Sequence, residues 1–275
     1  MNGKIYLVAT PIGNLEDITL RALRILKEVD LIAAEDTRNT LKLLNHYEIS
    51  KPLISYHRHN EEIKVDNLIE KIKEGQNIAI VSDAGTPGIS DPGEVIVKEA
   101  IKNNIEVVPI PGACAAINAL IASGLNSGEF VFFGFLPLNK KLRKEKLEEI
   151  ENENRTVIIY EAPHKLKDTL QDLKKILHSR KVVLARELTK IHEEFIRGNI
   201  EDIILKSENL KGEMIILIEG ALKNEIENPL NELTLEEHYM FYKEQGLDKK
   251  EIIKNIAKDR KVNKNEIYMN FINKK

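Results

Sequence analysis

The N-terminal part of the chain alternates short apolar runs with amphipathic segments, and this alternation limits the folds it can adopt. Apolar runs of strand length stand at residues 4–9, 31–34, 52–55, 77–81 and 106–108. Helical patterns separate them, as at residues 19–29, where the apolar side chains recur on one side. Strands and helices that alternate in this way form βαβ units, so we expect a mostly parallel sheet.

A second α/β region is expected between Phe130 and about Gly220. Its predicted strands lie at residues 130–133, 156–160, 181–185, 194–196 and 213–218. The later strands follow one another closely, so this sheet is predicted to be mixed. From Thr234 the pattern is helical, with two short helices at 247–257 and 265–272. The expected domains are an N-terminal α/β domain at 1–121, a second α/β domain at 122–224, and a small, locally basic helical appendage at 225–275.

Composition excludes several classes of protein. The chain has 275 residues, of which 42% are hydrophobic and 31% charged, which is typical of a soluble globular protein of roughly two domains. The single cysteine, Cys114, excludes an intrachain disulfide framework and a cysteine-rich zinc site. No secretory signal or apolar run of about 18 residues is present, so a cytoplasmic protein without membrane contact is expected. No metal-ligand spacing, G-x-G-x-x-G motif or P-loop occurs, which argues against a metal site, a nicotinamide enzyme and an NTPase.

The densest loop follows the apolar run at 77–81. Residues 82–93 contain three glycines and two prolines and precede a predicted helix. Open α/β sheets bind ligands where a strand's carboxyl end meets such a loop, because glycine lets the backbone approach a ligand closely. Asp83 stands at the strand tip, where its carboxylate can accept hydrogen bonds from a ligand. The alternative is a structural turn in which Asp91 caps the next helix.

Four loops follow strands of the predicted parallel sheet: residues 11–14, 35–38, 57–60 and the loop after Asp83. The carboxyl ends of parallel strands lie at one edge, so these loops should converge into a polar pocket suited to acid–base chemistry. The candidate catalytic residues are His57, Glu35, Asp36 and Arg38. Two structural alternatives stay open: His57 and its neighbour His59 as surface histidines, and residues 35–38 as a helix N-cap with a local ion pair.

Two segments are locally basic although the net charge is −3. Residues 140–146 carry five basic side chains and one acidic one, and residues 243–275 carry ten Lys or Arg against five Asp or Glu. Contact with phosphates would explain both segments. The alternative for each is a solvated helix face.

Seven segments together bring a family into view. They are Tyr6–Asn14, Glu35–Arg38, Ser82–Gly93, Pro109–Gly112, Phe133–Pro137, Tyr160–His164 and Gly212–Met214. With them the chain resembles the tetrapyrrole methylase superfamily of S-adenosylmethionine-dependent enzymes. Within it, the chain is most similar to the ribosomal RNA small-subunit methyltransferase I branch, which methylates the 2′-oxygen of a cytidine in the decoding centre of 16S rRNA.

The resemblance implies a two-domain tetrapyrrole-methylase-like α/β fold, with S-adenosylmethionine bound in the cleft between the domains, and a homodimer. Its substrate partner would be 16S rRNA or the 30S subunit. By position, the implied cofactor contacts are Pro11, Asp83, Thr86, Cys114, Ala115, Tyr160 and Met214. Cys114 would line the ligand loop rather than act as a nucleophile, because no adjacent base is evident.

The implied reaction is an in-line displacement by the ribose 2′-oxygen, assisted by a base that takes its proton. His57 is slightly favoured as that base over Glu35 or Asp36, and Arg38 would hold a phosphate. Two other functions stay open: carbon methylation of a tetrapyrrole or precorrin, and a non-catalytic RNA-binding module. Ser82-Asp83-Ala84 stands where the tetrapyrrole-modifying members have Gly-Asp-Pro, which favours the rRNA branch.

Overall fold

The first sheet contains the five strands that the apolar runs predict. The structure is a computed structural model that describes residues 2–208, 210–221, 230, 233–260 and 262–272. The strands are β1 (Ile5–Val8), β2 (Leu31–Ala34), β3 (Leu53–Ser55), β4 (Ile78–Val81) and β5 (Val107–Ile110). All are parallel, in the order β3-β2-β4-β1-β5. The central strands β2 and β4 are buried throughout, so their sequences are unbroken apolar runs.

Four helices cover the two faces of this sheet. They are α1 (Leu20–Glu28), α2 (Thr37–His46), α3 (Glu61–Lys73) and α4 (Glu94–Lys102). Thr19 begins α1, because its side chain accepts a hydrogen bond from the Ala22 N–H at 3.1 Å. The buried residues of α1 and α2 pack with one face of the strands, and those of α3 and α4 with the other. The loops after the strands are thereby left at one edge of the sheet.

The strand predicted at 106–108 ends too early, since β5 extends past residue 108 and includes Pro109. This residue lies inside β5 and pairs in register with Leu7 of β1. β5 is an edge strand, and a proline is tolerated there because no neighbour needs its missing N–H group. Edge position is a property of the whole sheet, which the local sequence does not show.

The second sheet is mixed, as its closely spaced strands predict. Its strands are β6 (Phe130–Phe135), β7 (Thr156–Glu161), β8 (Val182–Arg186), β9 (Glu194–Gly198) and β10 (Met214–Ile218). The order is β6-β7-β10-β8-β9, with β6 and β7 parallel and the other pairs antiparallel. Its helices are α6 (Lys140–Asn152), α7 (Leu166–Leu177) and α8 (Ile200–Lys206). Helix α8, which begins with a capping box between Asn199 and Asp202, was not predicted from the sequence.

Helix α5 (Ala115–Ser123) joins the two sheets, and it spans the predicted domain boundary between residues 121 and 122. Its buried residues Ala116, Ala119 and Leu120 pack against strands of the second sheet. Ile12, from the loop after β1, belongs to the same apolar cluster. Residues 1–220 form one compact unit, and a division of that unit into two domains stays a prediction.

The second compact unit comprises residues 221–275. It contains α9 (Leu235–Glu244), α10 (Lys249–Asp259) and α11 (Lys264–Ile272). The buried side chains of Ile252, Ile253, Ile256 and Ile267 form its core. Among the described residues, no helix is long and apolar enough to cross a membrane.

Candidate active site

The loop after β4 is tied to the loop after β1 by backbone hydrogen bonds. The Thr10 N–H donates to the Gly85 carbonyl at 2.9 Å, and the Gly85 N–H donates to the Thr10 carbonyl at 3.0 Å. The Thr10 hydroxyl also donates to the Ser82 carbonyl at 3.2 Å. These bonds fix the glycine-rich loop at the edge of the sheet.

Asp83 ties this loop to the start of α2. Its Oδ1 accepts a hydrogen bond from the Asp36 N–H at 3.0 Å, and its Oδ2 accepts one from the Asn39 side-chain amide at 3.1 Å. The Asp83 N–H in turn donates to Glu35 Oε2 at 3.3 Å. The loops after β2 and β4 therefore meet, and the predicted convergence is observed.

The backbone of the loop takes a conformation that most residues avoid. φ is positive at Gly85 (+86°), Gly88 (+83°), Gly93 (+143°) and the non-glycine residue Ser90 (+64°). At Gly85 space is limiting as well, because an added Cβ would lie 3.2 Å from Ile12 Cγ2 and 3.4 Å from the Ala113 carbonyl oxygen. Glycine is therefore required at position 85 for both conformation and close approach.

A cavity of about 370 Å³ lies between these loops, the start of α5 and the edge of the second sheet. Six of the seven residues that the resemblance implies for cofactor binding line it: Asp83, Thr86, Cys114, Ala115, Tyr160 and Met214. The seventh, Pro11, lines a neighbouring cavity of about 270 Å³ together with Asn39, Lys42 and His46. Asp83 lines both cavities.

The wall of the larger cavity combines apolar and acidic parts. The apolar part includes Ile12 from the predicted loop 11–14. It also includes Ala185, Leu188 and Ile215, which were not predicted from the sequence. Tyr160 is held there by its ring contacts with Phe132 and Phe135, at centroid distances of 4.9 and 5.8 Å. Five carboxylates also line the cavity, namely Glu35, Asp83, Asp91, Glu161 and Glu213. Such a site suits a ligand that has a flat apolar part and a cationic part.

The Tyr160 phenol is a fixed hydrogen-bond partner in this wall. Its oxygen accepts a hydrogen bond from the Ala116 N–H at 3.1 Å, and burial raises its pKa to about 12. Thr86 likewise anchors its loop, because its hydroxyl donates to the Ala113 carbonyl at 3.0 Å. Both contacts connect the start of α5 to the elements around the cavity.

The structure distributes the predicted catalytic residues over different environments. Glu35 lines the larger cavity. Asp36 caps α2 and forms an ion pair with Arg38 at 2.6 Å, and hydrogen bonds from Arg38 lower the Asp36 pKa to about 2. This is the arrangement that the structural alternative for residues 35–38 describes. A carboxyl with so low a pKa is a weak base.

His57 does not line either cavity. Its backbone N–H donates to Asn60 Oδ1 at 2.8 Å, and its ring Nε2 lies 3.0 Å from the Asn60 amide nitrogen. The ring Nδ1 is buried and has no hydrogen-bond partner within the described ranges. Asn60 therefore fixes the imidazole outside the space that a cavity ligand fills.

Asp91 is a functional candidate that appeared in the sequence only in the structural alternative, as the cap of the helix after the loop. The N-cap of α4 is Gly93, without a side-chain cap, whereas Asp91 lines the cavity. Burial raises its pKa to about 7, and the carboxylates of Glu35 and Asp83 add to this effect while Arg58 opposes it. Strongly shifted pKa values in a cleft are typical of functional groups. The sequence feature that could have indicated a functional role for Asp91 is its position in the loop rich in glycine and proline.

Comparisons with known proteins agree with this architecture. The family model described as Tetrapyrrole (Corrin/Porphyrin) Methylases matches residues 4–204. Among solved structures, the methyltransferase CobJ has a TM-score of 0.61 at 17% identity, covering 80% of this chain and 95% of that one. A uroporphyrin-III C-methyltransferase from Thermus thermophilus, complexed with S-adenosylhomocysteine, has a TM-score of 0.56 at 16% identity, covering 79% and 97%. These likenesses show the fold.

Curated relatives resemble the chain along nearly its whole length. A protein of Halalkalibacterium halodurans is 53% identical over 270 residues, covering 97% of this chain and 93% of that protein. One of Bacillus subtilis is 49% identical over 271 residues, with the same coverage of each chain. Both are named ribosomal RNA small subunit methyltransferase I. The chain therefore belongs to the tetrapyrrole methylase family and, within it, to the group of proteins that carry this name.

Proposed function

We propose that the protein methylates ribosomal RNA of the small subunit, and that the acceptor is the 2′-oxygen of a cytidine ribose in the decoding centre of 16S rRNA. The observation that carries the rRNA part is the identity of about 50% with relatives named for this activity, over 97% of the chain. The assignment of a cytidine as the substrate nucleotide and of its 2′-oxygen as the acceptor rests on the family resemblance of the seven sequence segments. S-adenosylmethionine is the methyl donor.

The residues of the larger cavity fit this donor. Its volume of about 370 Å³ lies within the range of small-molecule sites. The apolar wall and the Tyr160 ring suit an adenine, and the Asp83 carboxylate suits the cationic amino and sulfonium groups. Thr86, Cys114, Ala115, Tyr160, Met214 and Asp83 would hold the donor. Pro11 as a contact stays a prediction, because it lines the neighbouring cavity.

Bound S-adenosylmethionine supplies a methyl group that is activated toward an oxygen nucleophile. The protein has to exclude water, align the ribose oxygen and accept its proton. His57, Glu35 and Asp36 are the proton acceptors proposed from the sequence, and Arg38 is the proposed phosphate contact. The Arg38 side chain is 85% exposed and paired with Asp36, so a phosphate could reach it by sharing that pair.

We also propose that residues from about 226 to 275 bind the RNA. Four lysines of α10, Lys249, Lys250, Lys254 and Lys258, are exposed, and none forms an ion pair with another described residue. In α6, by contrast, Lys141, Lys144 and Lys146 pair with glutamates. The unpaired charge of α10 makes it the stronger candidate for phosphate contact.

Not every basic residue of this segment is available to RNA. Arg260 faces the interior of the helical unit, where it donates to His238 Nδ1 at 3.2 Å and to the Leu233 carbonyl. It therefore has a structural role, and its replacement would test folding rather than RNA binding. Lys261 lies outside the described residues.

The homodimer is a further proposal that rests on the resemblance. Sedimentation of the purified chain would measure it, and a monomer at micromolar concentration would contradict it. Exposed apolar side chains such as Ile121, at 70%, and Ile191, at 98%, offer area that a second copy could cover.

The experiment that tests the proposed function is methylation of small-subunit rRNA taken from a strain that lacks this activity. Purified protein and S-adenosylmethionine are incubated with naked 16S rRNA and with 30S particles, and the product is mapped by mass spectrometry. A ribose-methylated cytidine is the expected product. Methylation of a precorrin instead would favour the tetrapyrrole function, and binding to RNA without transfer would favour a non-catalytic module.

A further inference from the structure

We propose that Asp91 is the general base of methyl transfer, which takes the proton of the ribose 2′-hydroxyl as the new carbon–oxygen bond forms. The proposal rests on the proposed function, because it assigns a role in that reaction. It replaces His57, which the sequence favours, by a residue that lines the cavity itself.

Among the five carboxylates of the cavity, Asp91 alone accepts no hydrogen bond from the residues that the structure describes. Both oxygens of Asp83 are occupied, and Glu35 accepts from the Asp83 N–H. Glu161 accepts from the Ala162 N–H and the Thr169 hydroxyl, and Glu213 pairs with Lys190 at 3.0 Å. The lone pairs of Asp91 are therefore available to a substrate hydroxyl.

The position of Asp91 is fixed by the residue before it. Ser90 has φ +64°, and its carbonyl accepts a hydrogen bond from the Arg58 guanidinium. On the side of the second sheet, Ser90 Oγ lies so close to Gly134 that a Cβ there would be 3.1 Å away. A strained backbone persists only where its surroundings fix it, so the backbone that carries Asp91 at the cavity wall is held in place before a substrate binds.

The proton affinity of Asp91 suits a base at neutral pH. Burial is the main reason that its pKa rises to about 7. Glu35 from the loop after β2 and Asp83 from its own loop raise it further, Arg58 from the loop after β3 lowers it, and Tyr160 faces it from β7 as a neutral phenol. A base is most effective when its pKa lies near the working pH.

The step balances without another reactant. As the ribose oxygen bonds to the methyl carbon, its O–H bond breaks and the proton passes to the Asp91 carboxylate. The electron pair of the broken carbon–sulfur bond stays on S-adenosylhomocysteine, the leaving group. The products are a methyl ether, S-adenosylhomocysteine and a neutral carboxylic acid that loses its proton to water.

The test compares Asp91→Asn with Asp66→Asn, which makes the same change on the exposed side of α3. In the wild type, kcat on rRNA should fall about tenfold per pH unit below about 7. We call this fall of kcat at low pH the acid limb. Asp91→Asn should lower kcat by about 10²–10⁴-fold and abolish the acid limb. Calorimetry should show its S-adenosylmethionine affinity within about threefold of the wild type, because a base acts on the chemical step. Asp66→Asn should match the wild type in every respect.

Two neighbours should move the acid limb in opposite directions. Arg58→Gln removes a charge that favours the carboxylate and should shift the midpoint upward, whereas Glu35→Gln removes a repulsive charge and should shift it downward. A merely structural Asp91 would not produce opposite shifts.

Three results would overturn the assignment: an Asp91→Asn enzyme that keeps its rate and acid limb, a parallel loss of cofactor affinity, or a limb that disappears in His57→Ala instead. A wild-type protein that binds S-adenosylmethionine but methylates no rRNA would refute the proposed function, and the proposal for Asp91 would fall with it.

Discussion

Gly85 and Gly88 lie three residues apart in the cavity loop and have nearly the same φ, +86° and +83°. They differ in their surroundings: a Cβ at Gly85 would crowd Ile12 and Ala113, whereas one at Gly88 would meet nothing within 4 Å. Comparison of alanine substitutions at the two positions therefore separates the destabilisation caused by backbone strain from the effect of crowding at the cavity.

We expect Gly88→Ala to destabilise the protein by about 1–2 kcal/mol through strain alone. Gly85→Ala should cost more and should also weaken S-adenosylmethionine binding, because Ile12 and Ala113 must move. Thermal unfolding and calorimetry measure the two effects. Equal loss of affinity in both variants would show that Gly85 contributes conformation only.

Both carboxylate oxygens of Asp83 already accept hydrogen bonds from the start of α2. We expect Asp83→Ala to weaken S-adenosylmethionine binding by roughly tenfold while the fold is kept, as removal of a charged hydrogen-bond partner predicts. Asn39→Ala is the matched control, since it removes one of these hydrogen bonds and keeps the carboxylate. If both variants lose the same affinity, Asp83 acts through α2 and does not touch the cofactor.

In the C-terminal helical unit, a buried histidine connects α9 to the end of α10. His238 is fully buried, its Nε2 lies 3.1 Å from Asp259 Oδ2, and its Nδ1 accepts a hydrogen bond from Arg260. Burial lowers the His238 pKa, Asp259 opposes this effect and Arg260 adds to it. The neutral ring with its proton on Nε2 satisfies both neighbours, since Nδ1 is then free to accept.

This arrangement predicts that the helical unit loosens in mild acid. The folded pKa lies below the unfolded value of 6.5, so below that pH the unfolded state binds more protons and the stability falls as the pH falls. Hydrogen exchange of residues 235–259, corrected for its intrinsic pH dependence, should therefore show less protection at pH 5.5 than at pH 7.5. In a His238→Gln variant the difference should shrink, and an unchanged difference would assign it to another group.

At the level of elements, the sequence predicts all ten strands of the two sheets to within a few residues, because most of them are short apolar runs between breakers. Two features depend on more than local sequence. Pro109 is compatible with β5 only because that strand lies at an edge. Helix α8 has only seven residues, too few for a periodic pattern to stand out.

Over the whole molecule, the glycine-rich loop and the converging strand ends locate the site from sequence alone. The apolar wall of the cavity is different, because Leu188 lies in the turn after β8 and Ile215 lies in β10. Both reach the site only through packing around α5. The same limit explains why His57 and Asp91 could not be ranked as bases. Both follow a strand end, and only the folded structure shows which of them lines the cavity.

The two compact units lead to a prediction about substrate binding. Every residue that lines the larger cavity lies between positions 12 and 215, whereas the exposed lysines of α10 belong to the unit of residues 221–275. Replacement of Lys249, Lys250 and Lys254 by glutamate should therefore weaken binding to rRNA or 30S particles and leave S-adenosylmethionine affinity unchanged. The logarithmic salt dependence of RNA binding should flatten by roughly 0.7–0.9 for each phosphate that the variant no longer binds.

The matched control for this prediction is glutamate at Lys140, Lys141 and Lys144 of α6, the same change in charge on the other basic segment. Since two of these lysines already pair with glutamates, their replacement should affect RNA binding less. A titration of both variants against salt compares the two surfaces directly. If the α6 variant loses affinity and the α10 variant binds as the wild type does, the RNA contacts the first unit through α6, and the C-terminal helices have a role other than docking.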